Sequence, residues 1–239
     1  MQQKGHQHPL TKMIAEINGI FAEIGFVFAE GPEAETEVYN FDRLNVPKDH
    51  PARDMQDTFW FRKDDVKEPT VLRTHTSPVQ ARYMEAHKPP IRVIVPGKVF
   101  RNEATDATHE AQFFQLEGLC VDTDINLGHL KGVLEFFFSQ FLGGDVEIRF
   151  RPGFFPFVEP GVEVDMKLTG GDSKLSGRWI EIMGAGMVHP NVLEGSGIDS
   201  KKYSGYAFGM GIDRLAIMKY GINDVRDLYT GDLRFVNQF

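Results

Sequence analysis

Arg101 and Glu103 stand two residues apart, and Arg214 answers them at the end of Gly209-Met210-Gly211-Ile212-Asp213-Arg214. An arginine clamps a phosphate with a planar fork of donors. A nearby glutamate accepts from an exocyclic amine, and a second arginine at the start of a helix stacks over a base. Between them Phe113-Phe114-Gln115-Leu116-Glu117 reads as a strand that carries polar groups where a core strand would hide them. Residues two apart on a strand share a face, so Phe113, Gln115 and Glu117 point one way while Phe114, Leu116 and Gly118 point the other. By the same parity Arg101 and Glu103 share a face with Val99. If the two strands pair, one sheet face holds an arginine, two acids, a glutamine and an exposed ring, which are the parts needed to seat a nucleotide. The plainer reading is a solvated face with a surface ion pair of little energetic weight. Phe113 and Gln115 at its centre argue against that.

A second cluster is Phe154-Phe155-Pro156-Phe157-Val158-Glu159-Pro160. Phe155, Phe157 and Glu159 share one parity, so two rings and an acid line one surface. Such rings are ordinarily core; a pocket for an aromatic ligand is the sharper alternative. In Thr74-His75-Thr76-Ser77, Ser77 suits a helix cap and His75 suits a donor toward a carboxylate or amine, though a lone histidine says little. Gly209-x-Gly211 lacks the third glycine of a dinucleotide fingerprint and is equally explained by close packing of strand on helix. His-Glu-x-x-His, Gly-x-Ser-x-Gly and a P-loop lysine are all missing from the sequence, which disfavours zinc proteases, α/β-hydrolases and P-loop enzymes. The net charge of −8, with no run rich in lysine and arginine, does not suit a chain that grips nucleic acid alone. A single cysteine, Cys120, excludes an internal disulfide and fits a reducing cytosol.

The elements that must position these groups follow from periodicity. Leu10, Met13, Ile14, Ile17, Phe21 and Ile24 repeat at helical spacing, and Gly25 stops the helix. Residues 30–53 read as a short helix with long connections. Thr58 to Phe61 and Val71 to Arg73 read as strands, and Ser77-Pro78 as the cap and first residue of a helix to Ala86. Ile91 to Val95, a Pro96-Gly97 turn, and Val99 to Arg101 read as strand, turn and strand. A loop over 104–110 and a strand from Gln112 to Val121 come next, then a phenylalanine-rich helix from Ile125 to Phe141. Strands are expected at 146–151, 162–168, 179–183 and 206–208, a glycine loop at Gly184-Ala185-Gly186, and a last helix over 212–220. Strands in hairpin-like succession with helices interposed predict one α+β domain over 1–239, built on an antiparallel sheet.

Several of these segments together resemble one family. Val99-Phe100-Arg101-Asn102-Glu103, Thr105 to Glu110 and Gly209 to Arg214 are similar to motifs 2 and 3 of class II aminoacyl-tRNA synthetases. Arg73 to Ser77, Phe155 to Pro160 and Gly184-Ala185-Gly186-Met187-Val188-His189-Pro190 narrow the resemblance to the bacterial phenylalanyl-tRNA synthetase α subunits. It runs from His8-Pro9 to the C-terminus, and Gly25 with Gly31-Pro32 is similar to motif 1, which builds a subunit interface in that class.

The resemblance implies a central antiparallel sheet flanked by helices, with phenylalanine and ATP side by side on it. Arg101 would hold the α-phosphate and orient the amino-acid carboxylate, joined there by Trp60. Glu103 would accept from the adenine amine, Phe113 and Arg214 would sandwich the ring, and His109 would reach the outer phosphates. His75, Ser77, Gln115 and Glu117 would surround the ammonium group, while Phe155, Phe157, Val158 and Ala207 would enclose the benzyl ring. Glu159 would help bind Mg²⁺ shared with a β subunit, in an α2β2 assembly acting on tRNA(Phe) in the cytoplasm. The family's N-terminal helical arm is expected to be absent from this chain. Asp213 stands where many relatives have glutamate.

Overall fold

The computed structural model describes residues 5–53, 57–169 and 177–239. Helix α1 spans Pro9–Glu23 and buries Leu10, Met13, Ile17, Ile20 and Phe21 along the stripe expected for it. Gly25 follows at φ +82°, a conformation that L side chains rarely adopt, and turns the chain into β1 (Val27–Phe28). A ribbon of β2 (Ala34–Thr36) and β3 (Thr70–Leu72) flanks the short helix α2 (Glu37–Asn40). There follow α3 (Ser77–Ala86), β4 (Ile91–Phe100), β5 (Gln112–Asp122), α4 (Leu127–Leu142), β6 (Val146–Phe155), β7 (Val158–Leu168) and β8 (Ile180–Val188). Next come α5 (Pro190–Gly195), β9 (Ser204–Gly211), α6 (Ile212–Tyr220) and α7 (Leu233–Val236). Seven strands form one sheet in the order β1-β4-β5-β9-β8-β7-β6, and every neighbouring pair is antiparallel except β1 with β4. The α+β class is as expected.

Strand parity divides the sheet into two faces. Leu116 and Cys120 of β5, with Tyr206, Phe208 and Met210 of β9, pack under α1, α4 and α6 in the principal core. There Phe21 stacks on Phe137 at 4.8 Å and on Phe208 at 5.7 Å. The alternate residues Leu119 and Val121 join Val93 and Val95 of β4 beneath Val79 and Met84 of α3 and Val192 and Leu193 of α5. One face is thus sealed by α1, α4 and α6. The other is covered only in part, and Gln115 and Glu117, further along β5, line a cavity there.

Four local expectations change. Pro96-Gly97 is no turn: β4 runs straight through, with Pro96 opposite Leu116 and Gly97 opposite Gln115. Proline is tolerated because β1 pairs only with Val93 and Ile94, leaving an edge beyond them. Arg73 and Thr76 line that edge. Arg73 Nε donates to Lys98 O at 2.8 Å, and Thr76 Oγ1 donates to Val95 O at 3.0 Å. A Cβ on Gly97 would lie 2.4 Å from an Arg73 nitrogen, so the glycine makes room for the guanidinium. Gly184-Ala185-Gly186 likewise lies inside β8 instead of forming a loop. Thr58 to Phe61 makes only an isolated bridge, Trp60 to Val71, on the free edge of β3, where Phe61 N donates to Thr70 O and Phe59 O accepts from Leu72 N, both at 2.9 Å. Ser77 is helical and Thr76 holds the N-cap position, with no side-chain cap.

This stacking predicts opposite effects at two glycines. Gly118 sits under the Phe208 ring, and a Cβ there would fall 2.2 Å from it, whereas a Cβ on Gly19 of α1 meets nothing within 4 Å. In urea unfolding, Gly118→Ala is expected to destabilise by about 1–3 kcal/mol. Gly19→Ala is expected to stabilise by about 0.5–1 kcal/mol. Shifts of the same sign would contradict the packing of Phe208 on β5.

Candidate active site

On the partly covered face lies a cavity of about 300 Å³. Its floor is the centre of the sheet, where side chains are nearly absent. Gly209 of β9 lies opposite Glu117 on one side and Gly184 of β8 on the other, and Ala207 lies between Leu119 and Gly186. A Cβ on Gly184 would come within 2.6 Å of the Phe155 ring, and one on Gly186 within 2.4 Å of Pro160 O. The glycines inside β8 therefore admit the tip of the β6–β7 hairpin onto the floor. Phe155 and Phe157 stack there with centroids 6.1 Å apart, both half-buried and both lining the cavity.

Polar groups line the β5 side. Glu117 is 4% exposed. One of its oxygens accepts from Thr76 N at 3.1 Å, and the other from Ser77 Oγ and from Gln80 Nε2 at 2.9 Å. Burial pushes its carboxyl up to about 7 even though these donors favour the charged form. Burial, with the positive charges of Arg101 and Arg73, drives His75 down to about 3, so its ring is neutral. His75 Nδ1 and Gln115 Oε1 are buried with no hydrogen-bond partner. Three side chains able to accept thus converge on one cavity, two of them with unused atoms and the third a carboxylate without a paired cation.

Arg101 forms the far wall. Its Nε donates to Thr74 O at 3.2 Å, and its guanidinium lies 5.1 Å over the Phe113 ring. It also borders a second hollow of about 180 Å³, which Glu103, His109, Phe113 and Arg214 line with it. Phe113 and Arg214 are fixed through their chain neighbours. Asp213, 5% exposed, accepts from Phe114 N at 2.7 Å and from the Tyr229 hydroxyl, which ties the start of α6 to β5. The loop carrying Glu103 and His109 is anchored by Val225 N donating to Ala107 O at 2.9 Å.

The whole chain, residues 1–239, matches the family described as tRNA synthetases class II core domain (F). It is 55% identical to the phenylalanine–tRNA ligase alpha subunit of Bacillus licheniformis over 98% of this chain and 69% of that protein. It is 57% identical to that of Shouchella clausii, over 99% of this chain and 69% of the relative. The chain belongs to the phenylalanine–tRNA ligase α-subunit family. A crystal structure of pyrrolysyl-tRNA synthetase from Desulfitobacterium hafniense, 19% identical, superposes with a TM-score of 0.71 over 94% of this chain and 74% of that one, a likeness of fold.

For a member of the phenylalanine–tRNA ligase α-subunit family, most of the expected site residues come together. His75, Ser77, Gln115, Glu117, Phe155, Phe157 and Ala207 share the first cavity; Glu103, His109, Phe113 and Arg214 share the second; Arg101 borders both. Three do not join them. Trp60 lines a separate hollow with Glu37 and Arg53, stacks on Phe41 at 6.3 Å and is bridged to Val71 of β3. Val158 is 2% exposed and packs beside Gly186, where the first residue of β7 is covered by β8. Glu159 is exposed, and no group of three or more metal-ligating side chains exists among the described residues. Sequence reasoning missed Gln80, Leu44 and Val192 of the first cavity and Asp213 as a brace of the second. Gln80 was within reach, lying three residues after Ser77 on the same helix face. Leu44 and Val192 carry no local signal.

The raised Glu117 carboxyl has a measurable consequence. The folded chain holds this proton up to about pH 7 and the unfolded chain only to about 4.5, so the native state loses stability as pH rises through that window. The stability difference between wild type and Glu117→Gln, measured by urea unfolding, is therefore expected to fall from pH 5 to pH 8. A flat difference would mean that the carboxyl is not desolvated.

Proposed function

We propose that the first cavity takes phenylalanine and the second ATP, and that the chain is the catalytic α subunit of a phenylalanine–tRNA ligase. It forms phenylalanyl-adenylate with release of pyrophosphate and passes the phenylalanyl group to the 3′-terminal ribose of tRNA(Phe). The observation that carries this reading is Arg101 lining both hollows. A guanidinium at their junction suits an α-phosphate under attack by the neighbouring carboxylate.

The substrate carboxylate is already ionised, so adenylate formation needs no general base. Catalysis is in-line positioning plus stabilisation of charge on the α-phosphate. Arg101 does both by pairing with the carboxylate and the phosphate. The ammonium group enters among Glu117, Gln115 Oε1 and the neutral His75, and its charge favours the ionised carboxylate. The benzyl ring lies against Phe155 and Phe157 with Ala207 as the floor. Phe113 and Arg214 sandwich the adenine, Glu103 accepts from its amine, and His109 faces the outer phosphates.

Magnesium is the counter-ion such phosphates require. This chain offers it Glu159 as one exposed carboxylate, which cannot form a site alone. The ion would neutralise phosphate charge, and Glu159 is the side chain this chain would offer to hold it. Relatives named alpha subunits support a β partner in an α2β2 assembly. A chain of net charge −8 fits reliance on that partner for grip on tRNA. Residues 1–239 form a single catalytic domain in this reading. Its place is the cytoplasm, in keeping with the absence, among the described residues, of a helix long and apolar enough to cross a membrane.

Phenylalanine-dependent ATP–pyrophosphate exchange, with and without the β subunit, tests the assignment. Arg101→Ala is expected to lower kcat/KM by about 100-fold or more. Ala207→Gly is expected to raise kcat/KM for p-chlorophenylalanine relative to phenylalanine by about 10-fold or more. Exchange that survives loss of Arg101 would overturn the shared-wall reading, and unchanged selection after Ala207→Gly would move the pocket floor elsewhere.

A further inference from the structure

Phe155 and Phe157 sit at the tip of a hairpin, beyond the layer of long helices, so something else must hold them on the glycine floor. The contacts that do so come from residues 41–46. Asn45 ends a 3-10 turn (Asp42–Leu44) in the left-handed conformation, φ +57°, which asparagine tolerates better than most residues. That backbone aims its amide at the hairpin. Nδ2 donates to Pro156 O, the carbonyl between the two phenylalanines, at 2.7 Å. Oδ1 accepts from Asn191 Nδ2 of α5 at 3.1 Å. The residue before it, Leu44, is 2% exposed and lines the same cavity. The hairpin is held again from α5, where His189 N donates to Phe157 O at 2.9 Å.

We infer that Asn45 is a positioning residue for substrate selection: its amide fixes the Phe155–Phe157 hairpin at the width that admits a benzyl ring. The inference rests on the first cavity being the phenylalanine site. Asn45 touches neither substrate. It acts through the Pro156 carbonyl, and Asn191 holds the amide in the orientation that presents its N–H₂ to that carbonyl. Without the hydrogen bond the hairpin keeps the Phe157 O contact to His189 N but loses its tie at Pro156, so the spacing of Phe155 and Phe157 over Ala207 and the glycines loosens.

The test uses the chain assembled with its partner subunit and reads pyrophosphate exchange. Asn45→Asp keeps the tolerance for positive φ and the acceptor for Asn191 but loses the donor to Pro156 O. Asn45→Gly keeps the backbone and loses both. Each is expected to raise KM for phenylalanine about 5- to 10-fold, the loss of roughly one hydrogen bond. KM for ATP should stay within about twofold, and selection of phenylalanine over p-chlorophenylalanine should weaken. Asn191→Ala, further from the hairpin, should shift the same quantities in the same direction by less. Phe155→Ala serves as the control for the site itself. If Phe155→Ala raises KM for phenylalanine and the Asn45 variants do not, the inference on Asn45 fails and the site stands. If neither does, the assignment of the cavity fails with it. Equal rises in KM for ATP and phenylalanine would make Asn45 a merely structural residue and overturn the inference.

Discussion

Glu117 is a carboxylate taken out of water at the centre of a sheet with no cation in direct contact. Leaving such a group charged and unpaired is costly, and a protein answers either by neutralising it or by surrounding it with donors. Here both occur: Thr76 N, Ser77 Oγ and Gln80 Nε2 point at it, and burial still holds its titration near 7. These donors belong to the first turn of α3, so the carboxylate also pins that helix to β5. The position of α3 in turn decides where His75 and Arg101 stand, because Thr74 O receives the Arg101 Nε. A ligand that brings its own positive charge supplies what the site lacks. In the proposed reading that ligand is the substrate's ammonium group.

The second requirement is space. A sheet face is normally carpeted with side chains, one every other residue. Along the row Glu117–Gly209–Gly184 and the row Leu119–Ala207–Gly186 the carpet is removed, and an aromatic hairpin folds over the gap. The principal core lies on the other face, under α1, α4 and α6, so emptying this one opens no hole in it. Parity on β5 and β9 separates stability from chemistry residue by residue, Phe208 and Leu116 serving one face and Ala207 and Gln115 the other.

Much of this was legible in the sequence where parity alone decides. Phe113, Gln115 and Glu117 did share a face, and the stripe of α1 needed no tertiary context. Glycine and proline misled because their local meaning as turn formers competes with a tertiary one. Gly97 yields to Arg73, Gly184 yields to Phe155, and Pro96 stands on an edge that exists only because β1 is short. Ser77 read as a cap because capping is local, whereas its true acceptor, Glu117, lies forty residues away. Trp60 and Val158 were assigned by family resemblance, and neither lines the cavity: Trp60 borders a separate hollow and Val158 is buried beside Gly186. Leu44 and Asn45 were illegible, since their partners, the hairpin at Pro156 and Asn191 of α5, lie more than a hundred residues away.

The arrangement also sets a limit on what the pocket can reject. Phe155, Phe157 and Ala207 offer shape and apolar surface, and no donor or acceptor among them meets the far end of a ring. Smaller apolar side chains lose contact with both rings and are refused by weak binding. A ring bearing one extra hydroxyl is refused only by the depth of the floor, and an apolar pocket of this kind discriminates against such an isostere by about 100-fold. In the proposed reading Gln115 and His75, the polar groups that could do better, face the ammonium end of the substrate. If the first cavity is the phenylalanine site, accuracy beyond that factor requires a second check, made where a hydroxyl-bearing ring meets a hydrogen-bonding partner.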